Sequence, residues 1–397
     1  MQIPREIAPS LLRAAEQFPV VVLTGPRQSG KTTLLRELFP AHTYVSLDLP
    51  SLAEQAERDP TRFLAENPLP LLIDEVQYAP GLFRHVKIAV DRDRHRMGRF
   101  VLTGSQKLPL MREVSDSLAG RAGLFDLEPL SLSELRTHGA DVDGDVVATL
   151  ARGLFPELWR QPSLRAREFY ASYVATYLER DVRELLHVVS LRDFERFLRI
   201  VAARSGQLLN KSELAKDVGV STKAVGDWLS VLQASNQVVL LEPYFQNIAK
   251  RSVKSPKVYL GDPGLLCFLL NLDATTLPGS PYLGAVWETA LFAELRKTIA
   301  ARGSAATVFS YRDQRAREVD FVLDAAGELT FVEAKWTERP SEKDARTIRA
   351  LDDELRASPL RVRAGRHAVV CRTSHAFPID ERVRALPYSQ IGELLSE

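Results

Sequence analysis

Residues 20 to 35 read VVVLTGPRQSGKTTLL and contain the most specific motif in the chain. The apolar, β-branched run from Val20 to Thr24 is typical of a buried strand, and the apolar positions after Lys31 are typical of a helix. Between them stands G-x-x-x-x-G-K-T, the spacing of a phosphate-binding loop in its required strand–loop–helix context. A glycine-rich turn that matches by coincidence is the alternative, and the two flanking elements weigh against it.

Each residue type in this loop has a chemical reason. Gly25 and Gly30 allow the backbone to curl so that its N–H groups point inward at phosphate oxygens. Lys31 can reach the β- and γ-phosphates, and the hydroxyl of Thr32 can ligate Mg²⁺. We therefore expect ATP and Mg²⁺ as cofactors. The expected cofactor-binding residues are Gly25, Pro26, Arg27, Gln28, Ser29, Gly30, Lys31, Thr32 and Thr33.

A second motif, Leu71-Leu72-Ile73-Asp74-Glu75, ends a later strand-like run. Strand-like and helix-like stretches alternate between residues 43 and 127, which predicts a parallel sheet covered on both faces. Ligands of such sheets bind at the carboxyl ends of the strands. There Asp74 would hold Mg²⁺ through its waters, and Glu75 would polarise the attacking water as general base. A solvated acidic turn is the alternative.

Two further candidates follow in the same part of the chain. The next strand-like run ends in Leu102-Thr103-Gly104-Ser105, and the hydroxyl of Thr103 or Ser105 could hydrogen-bond the γ-phosphate or the lytic water. A simple β-turn is the alternative. Arg121 could neutralise charge that develops on the γ-phosphate, in its own subunit or in a neighbour's. The alternative is a surface arginine that only aids solubility.

The chain resembles the prokaryotic AAA-type ATPases that carry a C-terminal domain of unknown function. The resemblance rests on four motifs in this order: GPRQSGKTTLL, LLIDEVQ, VLTGSQ and SLAGR. A later stretch, Tyr177 to Val182, also matches a segment typical of that family. The resemblance covers essentially the whole chain and implies an AAA-like core, Mg-ATP and self-association. It implies no established substrate.

The middle of the chain is predicted to form helices followed by a winged helix. Apolar residues recur at helical spacing from Arg165 to Arg204, as in a lid or linker. Residues 211 to 229 have helix-turn-helix spacing around Gly219, and a basic tip follows at residues 247 to 257. The residues that would contact duplex DNA are Thr222, Lys223, Ser230, Lys250, Arg251, Lys254 and Lys257. Winged helices also serve as lids and protein contacts in ATPases.

The last part of the chain resembles the restriction-endonuclease-like family. Asp320 lies in one strand-like run, and Glu333-Ala334-Lys335 ends the next, so that Glu333 and Lys335 project to one face. Glu288, in a preceding helix, matches the extra helical acid of the resolvase-like members. Asp320, Glu333 and Glu288 could together hold Mg²⁺, with Lys335 beside the attacking water. A charged surface hairpin, or a nuclease fold kept as a binding module, is the alternative.

Composition and length bound the remaining possibilities. The 397 residues, 45% hydrophobic and 26% charged, are typical of a globular protein of several domains. We predict an ATPase core at 1–140, a helical lid at 141–204, a winged helix at 205–275 and a nuclease-like domain at 280–397. A net charge of +1 argues against wholesale coating of nucleic acid. Two distant cysteines and no signal peptide or apolar span predict a cytoplasmic protein without a membrane partner.

Together these patterns predict an α/β protein: a P-loop NTPase parallel sheet, a helical and winged-helix middle and an α/β restriction-endonuclease-like end. Its function would be Mg-dependent ATP hydrolysis that drives a DNA-binding or DNA-processing C-terminal module, with nuclease activity left open. The expected partners are double-stranded DNA and a second copy or another protein. One rival is a nucleotide-dependent switch that engages a protein partner and carries a silent nuclease-like fold. Another is a nuclease with a merely structural ATP site.

Overall fold

The computed structural model describes residues 3–105, 107–178, 191–244, 254–357 and 362–395. Some residues discussed above lie outside these ranges. They are Gln106 of the VLTGSQ motif, residues 179–190 of the predicted helical lid, which include Glu179 to Val182 of the family-typical stretch, and residues 247–253 of the basic tip, which include Lys250 and Arg251.

The amino-terminal part of the chain alternates strands with helices. The strands are β1 (Val20–Thr24), β2 (Thr43–Ser46), β3 (Leu71–Asp74), β4 (Phe100–Thr103) and β5 (Ala122–Asp126). The helices are α1 (Ala8–Gln17), α2 (Lys31–Leu38), α3 (Pro50–Arg58), α4 (Pro60–Glu66), α5 (Leu82–Arg92) and α6 (Lys107–Leu118). The strands form one five-stranded sheet of order β2-β3-β4-β1-β5, and every neighbouring pair is parallel. The predicted parallel sheet is confirmed.

Strand β1 lies inside this sheet, and all of its residues are buried. Val20 belongs to an apolar cluster with Ile73 of β3, whereas Val21 belongs to a second cluster with Leu35 of α2. Successive side chains of a strand point to opposite faces, so a continuous apolar run means that both faces are covered. The strand therefore fixes the start of the loop that follows Thr24.

The middle of the chain is mostly helical. Its helices are α7 (Leu132–Thr137), α8 (Val146–Arg152), α9 (Pro156–Arg160), α10 (Ala166–Tyr173), α11 (Leu191–Ala203), α12 (Lys211–Val218), α13 (Thr222–Ala234) and α14 (Pro263–Leu269). Its strands are β6 (Gln207–Leu208), β7 (Val238–Leu241) and β8 (Lys257–Leu260), which pair antiparallel in the order β6-β8-β7. Gly219 adopts the left-handed conformation between α12 and α13, and the Ser221 hydroxyl caps α13.

The carboxyl-terminal part is a mixed sheet between two helices. Its strands are β9 (Thr307–Arg312), β10 (Glu318–Ala325), β11 (Glu328–Ala334), β12 (Arg363–Ala364), β13 (His367–Cys371), β14 (Phe377–Pro378) and β15 (Val383–Pro387). Its helices are α15 (Leu283–Arg302) and α16 (Arg346–Ala357). The sheet order is β14-β15-β13-β11-β10-β9, with β12 beside β11. Phe321 packs in the cluster of α15, and Val322 packs in that of α16, so each helix covers one face.

Helix α15 connects distant parts of the molecule. It has 20 residues and is therefore about 30 Å long. Near its carboxyl end Lys297 donates to the Leu130 carbonyl and Glu294 accepts from the Leu132 amide, both in the segment after β5. Among the helices of the described ranges, none has the length and apolarity needed to cross a membrane.

Candidate functional site

The predicted phosphate loop joins the carboxyl end of β1 to the start of α2. Gly25 has φ 143° and Gly30 has φ 94°, conformations that favour glycine. Gly30 is the N-cap of α2, so the helix N-terminus faces the loop. The Ser29 hydroxyl is buried, and no hydrogen-bond partner among the described residues reaches it. The loop therefore has the curled backbone that phosphate binding requires.

Lys31 is the first residue of α2 and is almost fully buried. Its ammonium donates to the carbonyls of Gly25 and Pro26, each at 2.9 Å. These two bonds hold the amino group against the loop itself. Phosphate oxygens would take over from these carbonyls, because they are stronger acceptors for an ammonium group.

Asp74 ends β3 beside the loop. Its Oδ2 accepts from the Thr32 hydroxyl at 2.7 Å and from the Tyr44 hydroxyl at 3.1 Å. Its Oδ1 is buried, and no donor among the described residues reaches it. Burial raises the pKa of Asp74, although the hydrogen bond from Thr32 opposes that shift. A buried carboxylate oxygen without a partner is a costly feature that a bound cation would relieve.

The residues around Asp74 fit Mg²⁺. A carboxylate oxygen without a partner and a hydroxyl oxygen are the hard oxygen donors that this cation prefers. Thr32 and Asp74 would hold it beside the loop. When bound there, the cation would neutralise charge on the β- and γ-phosphate oxygens.

Glu75 follows directly and has φ 54°, an uncommon conformation for a residue with a side chain. Its Oε2 accepts from the Ser105 hydroxyl at 3.0 Å, from the Ser105 amide at 3.3 Å and from the Gln77 side chain. The structure thus brings Ser105 to Glu75. Gln77 was missed by the sequence reasoning, although it stands inside the LLIDEVQ motif. The Thr103 hydroxyl, also a candidate, is buried, and no hydrogen-bond partner reaches it within the described ranges.

A cavity of about 500 Å³ opens beside the loop. Gln28, Gly30 and Thr33 line it from the loop and α2. Apolar Ile3, Leu130 and Pro156 also contribute, together with the charged residues Arg5, Glu157 and Arg160. The cavity thus combines an apolar wall with polar groups next to the phosphate loop. That combination suits the base and sugar of a nucleotide.

Arg5 ties the loop to its surroundings and was also missed from the sequence. Its guanidinium donates to the Ser29 carbonyl at 2.8 Å and to the Glu128 carbonyl at 2.6 Å. It also pairs with buried Glu134 at 3.0 Å, and the Arg5 side chain is 8% exposed. Arg296 of α15 pairs with the Glu128 side chain. One arginine therefore links the phosphate loop to the segment that α15 contacts. No motif around Arg5 identified it in advance.

The structure corrects one of the two roles considered for Arg121. Arg121 precedes β5, at the amino edge of the sheet, and forms a two-pronged pair with Asp91 at 2.7 and 3.0 Å. The phosphate loop follows β1 at the opposite edge. Four strand steps, roughly 13 Å, separate the two edges. Arg121 is therefore too far to act on the loop of its own subunit, and action on a neighbour's loop stays a prediction.

The predicted nuclease-like acids lie near one another, and an unexpected lysine lies among them. Buried Lys257, from β8, places its ammonium 2.9 Å from Glu288 Oε1, 2.6 Å from Glu318 Oε1 and 3.5 Å from Asp320 Oδ1. We call these four side chains the lysine cluster. Lys257 was predicted to contact DNA phosphates, and that prediction is wrong because its side chain is only 2% exposed.

The other two predicted residues form a pair beside this cluster. Glu333 and Lys335 lie on one face, as predicted, with Lys335 Nζ 2.6 Å from Glu333 Oε1. Across the described ranges, no group of three acidic, histidine or cysteine side chains is arranged to hold a metal. The residues therefore do not fit the Mg²⁺ site predicted from Glu288, Asp320 and Glu333.

The helix pair α12–α13 leaves its predicted DNA-contacting side chains accessible. Thr222, Lys223 and Ser230 are exposed on α13, and Lys254 is exposed before β8. Asp227 is exposed on the same helix and would repel phosphate. DNA contact through this helix stays a prediction.

Family comparisons agree with the prediction for the amino-terminal part. The "AAA domain" family matches residues 17–136. Two families, each described as a "Domain of unknown function", match the rest: DUF8612 at residues 143–276 and DUF4143 at residues 283–391. The class of protein is therefore an AAA-type P-loop protein with a C-terminal domain of unknown function, as the motifs predict.

Two relatives cover almost the whole chain. Uncharacterized protein Rv2008c of Mycobacterium tuberculosis and uncharacterized protein Mb2031c of Mycobacterium bovis are each 31% identical to it over 389 residues. The match spans 98% of this chain and 84% of either relative. The chain belongs to the family of these two proteins.

Similar solved structures include two ATPases and a RuvB protein. The Walker-type ATPase PABY2304 of Pyrococcus abyssi is 17% identical with a TM-score of 0.46, covering 66% of this chain and 94% of that chain. A RuvB variant of Thermotoga maritima is 18% identical with a TM-score of 0.30, covering 58% and 86%. The signal transduction ATPase PH0952 of Pyrococcus horikoshii is 13% identical with a TM-score of 0.21, covering 75% and 46%. These scores are too low to support a conclusion.

Proposed function

We propose that this protein is a Mg-dependent ATPase. The observation that carries the proposal is the meeting of four side chains at the carboxyl ends of β1 and β3. Lys31 and Thr32 start the helix after the loop. Asp74 ends β3, which β4 separates from β1, and Glu75 follows it. Thr32 and Asp74 are in direct hydrogen-bond contact at 2.7 Å.

In the proposed reaction Glu75 is the general base. Its carboxylate takes a proton from the water that attacks the γ-phosphate, and the leaving group is ADP. Ser105 and Gln77 both donate to Oε2 of Glu75, which orients the carboxylate and leaves Oε1 to face the water. Lys31 and the loop amides stabilise charge on the transferred phosphoryl group.

The rest of the nucleotide would occupy the cavity beside the loop. Its volume of about 500 Å³ is within the range of small-ligand sites. Ile3, Leu130 and Pro156 offer an apolar surface for the base. Arg160 of α9 also lines the cavity, where it pairs with Glu157 at 2.9 Å.

The nucleotide state would reach the rest of the molecule through Arg5. This residue binds the Ser29 carbonyl of the loop and the Glu128 carbonyl of the segment held by α15. A movement of the loop on phosphate binding would change these bonds and thereby shift the segment on which α15 rests. We propose that this movement reaches the middle part of the chain, which carries α13 and β8. That part would contact double-stranded DNA through exposed Lys223 and Lys254.

Self-association would complete the site. Arg121 and Asp91 stand at the sheet edge opposite the phosphate loop. In a ring or filament of identical chains, that edge of one subunit would face the loop of the next. Arg121 would then neutralise γ-phosphate charge across the interface.

A second candidate is a nucleotide-dependent switch that engages a protein partner. The observation that favours it is the position of Lys257 within the carboxylates of the predicted nuclease-like site. A chain of this kind would bind ATP and change shape with little turnover. It would require no reaction at the carboxyl-terminal acids.

Steady-state ATP hydrolysis by the full chain, with and without duplex DNA, separates these candidates. The ATPase proposal expects turnover that Lys31→Ala abolishes and that Glu75→Gln slows by about 10² to 10⁴. Glu54→Gln is the matched control, because this exposed glutamate pairs with Arg58 on the surface of α3, away from the phosphate loop. DNA stimulation supports the DNA-contacting module. Nucleotide binding without turnover supports the switch, and an equal rate in Glu75→Gln would rule out the proposed base.

A further inference from the structure

The lysine cluster contains a buried positive charge that the proposed ATPase reaction does not use. Lys257 comes from β8 of the middle sheet, Glu318 and Asp320 come from β10, and Glu288 comes from α15. The ammonium lies within 2.6 to 3.5 Å of an oxygen from each of the three acids. Three separate elements therefore converge on one cation.

The ammonium lies between the three carboxylates and keeps their oxygens at 2.6 to 3.5 Å, farther from the cation than the roughly 2.1 Å of a Mg²⁺ ligand. The second oxygen of Asp320 accepts from the Ala334 amide at 2.8 Å, so this carboxylate is oriented by the backbone of β11. The Tyr259 hydroxyl, two residues along β8, donates to Glu288. Alternate residues of a strand share a face, so β8 presents both its lysine and its tyrosine to the carboxyl-terminal domain.

The charges around Lys257 are not balanced by the lysine alone. Three carboxylates surround it, with Glu333 next to Asp320. These four acids face three cations: Lys257, Arg312 at 3.2 Å from Glu318, and Lys335 at 2.6 Å from Glu333. Oxygen ligands with excess negative charge are the ligands of hard divalent cations. A single ammonium carries one positive charge and neutralises these acids less fully than a divalent ion would. It is, however, covalently attached to the chain, so it does not diffuse away from the acids in the folded protein.

We propose that Lys257 is a resident cation that takes the place of a divalent metal among Glu288, Glu318 and Asp320. While β8 is docked, the acids cannot ligate Mg²⁺ or Mn²⁺. The cluster instead fastens the middle sheet to the carboxyl-terminal domain. This inference does not depend on ATP hydrolysis.

The test is a titration of the full-length, nucleotide-free chain with Mn²⁺. The electron paramagnetic resonance signal of free Mn²⁺ measures how much of the ion stays unbound. The comparison uses the wild type, Asp320→Asn, Lys257→Met and the double variant Lys257→Met/Asp320→Asn. Binding that depends on Asp320 reports the lysine cluster and leaves out Mn²⁺ held beside the phosphate loop. Methionine keeps the unbranched stem of lysine, lacks only its terminal atom and removes its charge.

The proposal expects the wild type and Asp320→Asn to bind Mn²⁺ equally. In Lys257→Met the three acids can close on a metal ion, and this variant should gain a site at least about tenfold tighter than any Asp320-dependent binding in the wild type. Asp320→Asn should abolish that gain. Mn²⁺ should likewise raise the thermal midpoint of Lys257→Met, and Asp320→Asn should remove that rise. In the wild type, Asp320→Asn should leave the Mn²⁺ effect on the thermal midpoint unchanged.

Two results would overturn the proposal. One is Asp320-dependent Mn²⁺ binding by the wild type, which would mean that the ammonium does not exclude a metal. The other is a folded Lys257→Met chain that gains no Asp320-dependent site. If Lys257→Met does not fold, the wild-type comparison with Asp320→Asn still decides the first point. Lys257→Gln, which retains hydrogen bonding to the acids, then replaces Lys257→Met in the test for a gained Asp320-dependent site.

Discussion

The first glycine of the phosphate loop has no space for a side chain. A Cβ atom placed on Gly25 would lie 2.1 Å from the Leu127 carbonyl oxygen and 3.0 Å from its carbon. The Leu127 amide donates to the Thr24 carbonyl at 2.8 Å, so the same two segments are also joined by a backbone hydrogen bond. The substitution Gly25→Ala must therefore move backbone against backbone.

The expected cost follows from these contacts. Separating the Cβ atom from Leu127 to an ordinary distance requires a shift of about 1 Å and breaks the Thr24–Leu127 bond, a loss of about 1 kcal/mol. The φ of 143° adds strain of about 1 to 3 kcal/mol for a residue with a side chain. With overpacking of similar size, we expect Gly25→Ala to lower the free energy of unfolding by about 3 to 5 kcal/mol.

Urea unfolding followed by circular dichroism measures this change, with Gly226→Ala as the matched control. Gly226 lies within α13, and a Cβ atom added there would have no described atom within 4 Å outside the local helix. Alanine at this position should stabilise the protein by about 0.5 to 1 kcal/mol. A Gly25→Ala chain within about 0.5 kcal/mol of the wild type would refute this steric reasoning.

Three further outcomes test other parts of the site. Glu75→Gln should slow single-turnover ATP hydrolysis by about 10² to 10⁴ with little change in ATP affinity, because the amide cannot take the proton; an unchanged rate would contradict its role. Asp74→Asn should raise the thermal midpoint of the nucleotide-free chain at neutral pH. Burial raises the pKa of Asp74 in the folded state above its value in the unfolded state. The free energy of unfolding therefore falls as the pH rises from the unfolded-state pKa to the folded-state pKa, because the buried carboxyl must ionise. Scans between about pH 4 and about pH 8 should therefore show the advantage of Asp74→Asn only at the upper end. Arg5→Met should lower the free energy of unfolding by about 3 kcal/mol, because buried Glu134 keeps the amide donors Glu6 and Ser131 but loses the cation that balances its charge; a loss under about 1 kcal/mol in urea unfolding would contradict this.

The amino-terminal sheet was predictable because its signals are local. The strand from Val20 to Thr24 has the predicted bounds, since β-branched residues are followed at once by the loop glycine. The contact between Thr32 and Asp74 also follows from topology, because the carboxyl ends of parallel strands share one edge. The same rule could have placed Arg121 at the amino edge, since this residue precedes its strand.

Long-range charge pairing was not predictable from local pattern. Lys257 follows a basic stretch, and charge alone favours exposure. Its burial depends on Glu288 and Asp320, which stand 31 and 63 residues further along the chain. Arg5 is a similar case, because its partner Glu134 is 129 residues away. Only the folded chain brings these groups together.

The site residues also divide into those that local motifs predicted and those that depend on how distant segments pack. Motif spacing identified the loop, Asp74 and Glu75, whose chemistry depends on neighbours in sequence. It also named Ser105, which the structure places 3.0 Å from Glu75. The cavity wall formed by α9 could not be inferred, because it depends on how the middle helices pack against the loop.

Calorimetric titration of the folded, full-length chain with ATP in the presence of Mg²⁺ tests the nucleotide site most directly. The wild type should bind ATP with measurable heat, and Lys31→Ala, which removes the ammonium now held by the Gly25 and Pro26 carbonyls, should lose that heat. A folded wild-type chain that takes up no ATP, or a Lys31→Ala chain that binds it equally well, would contradict the account.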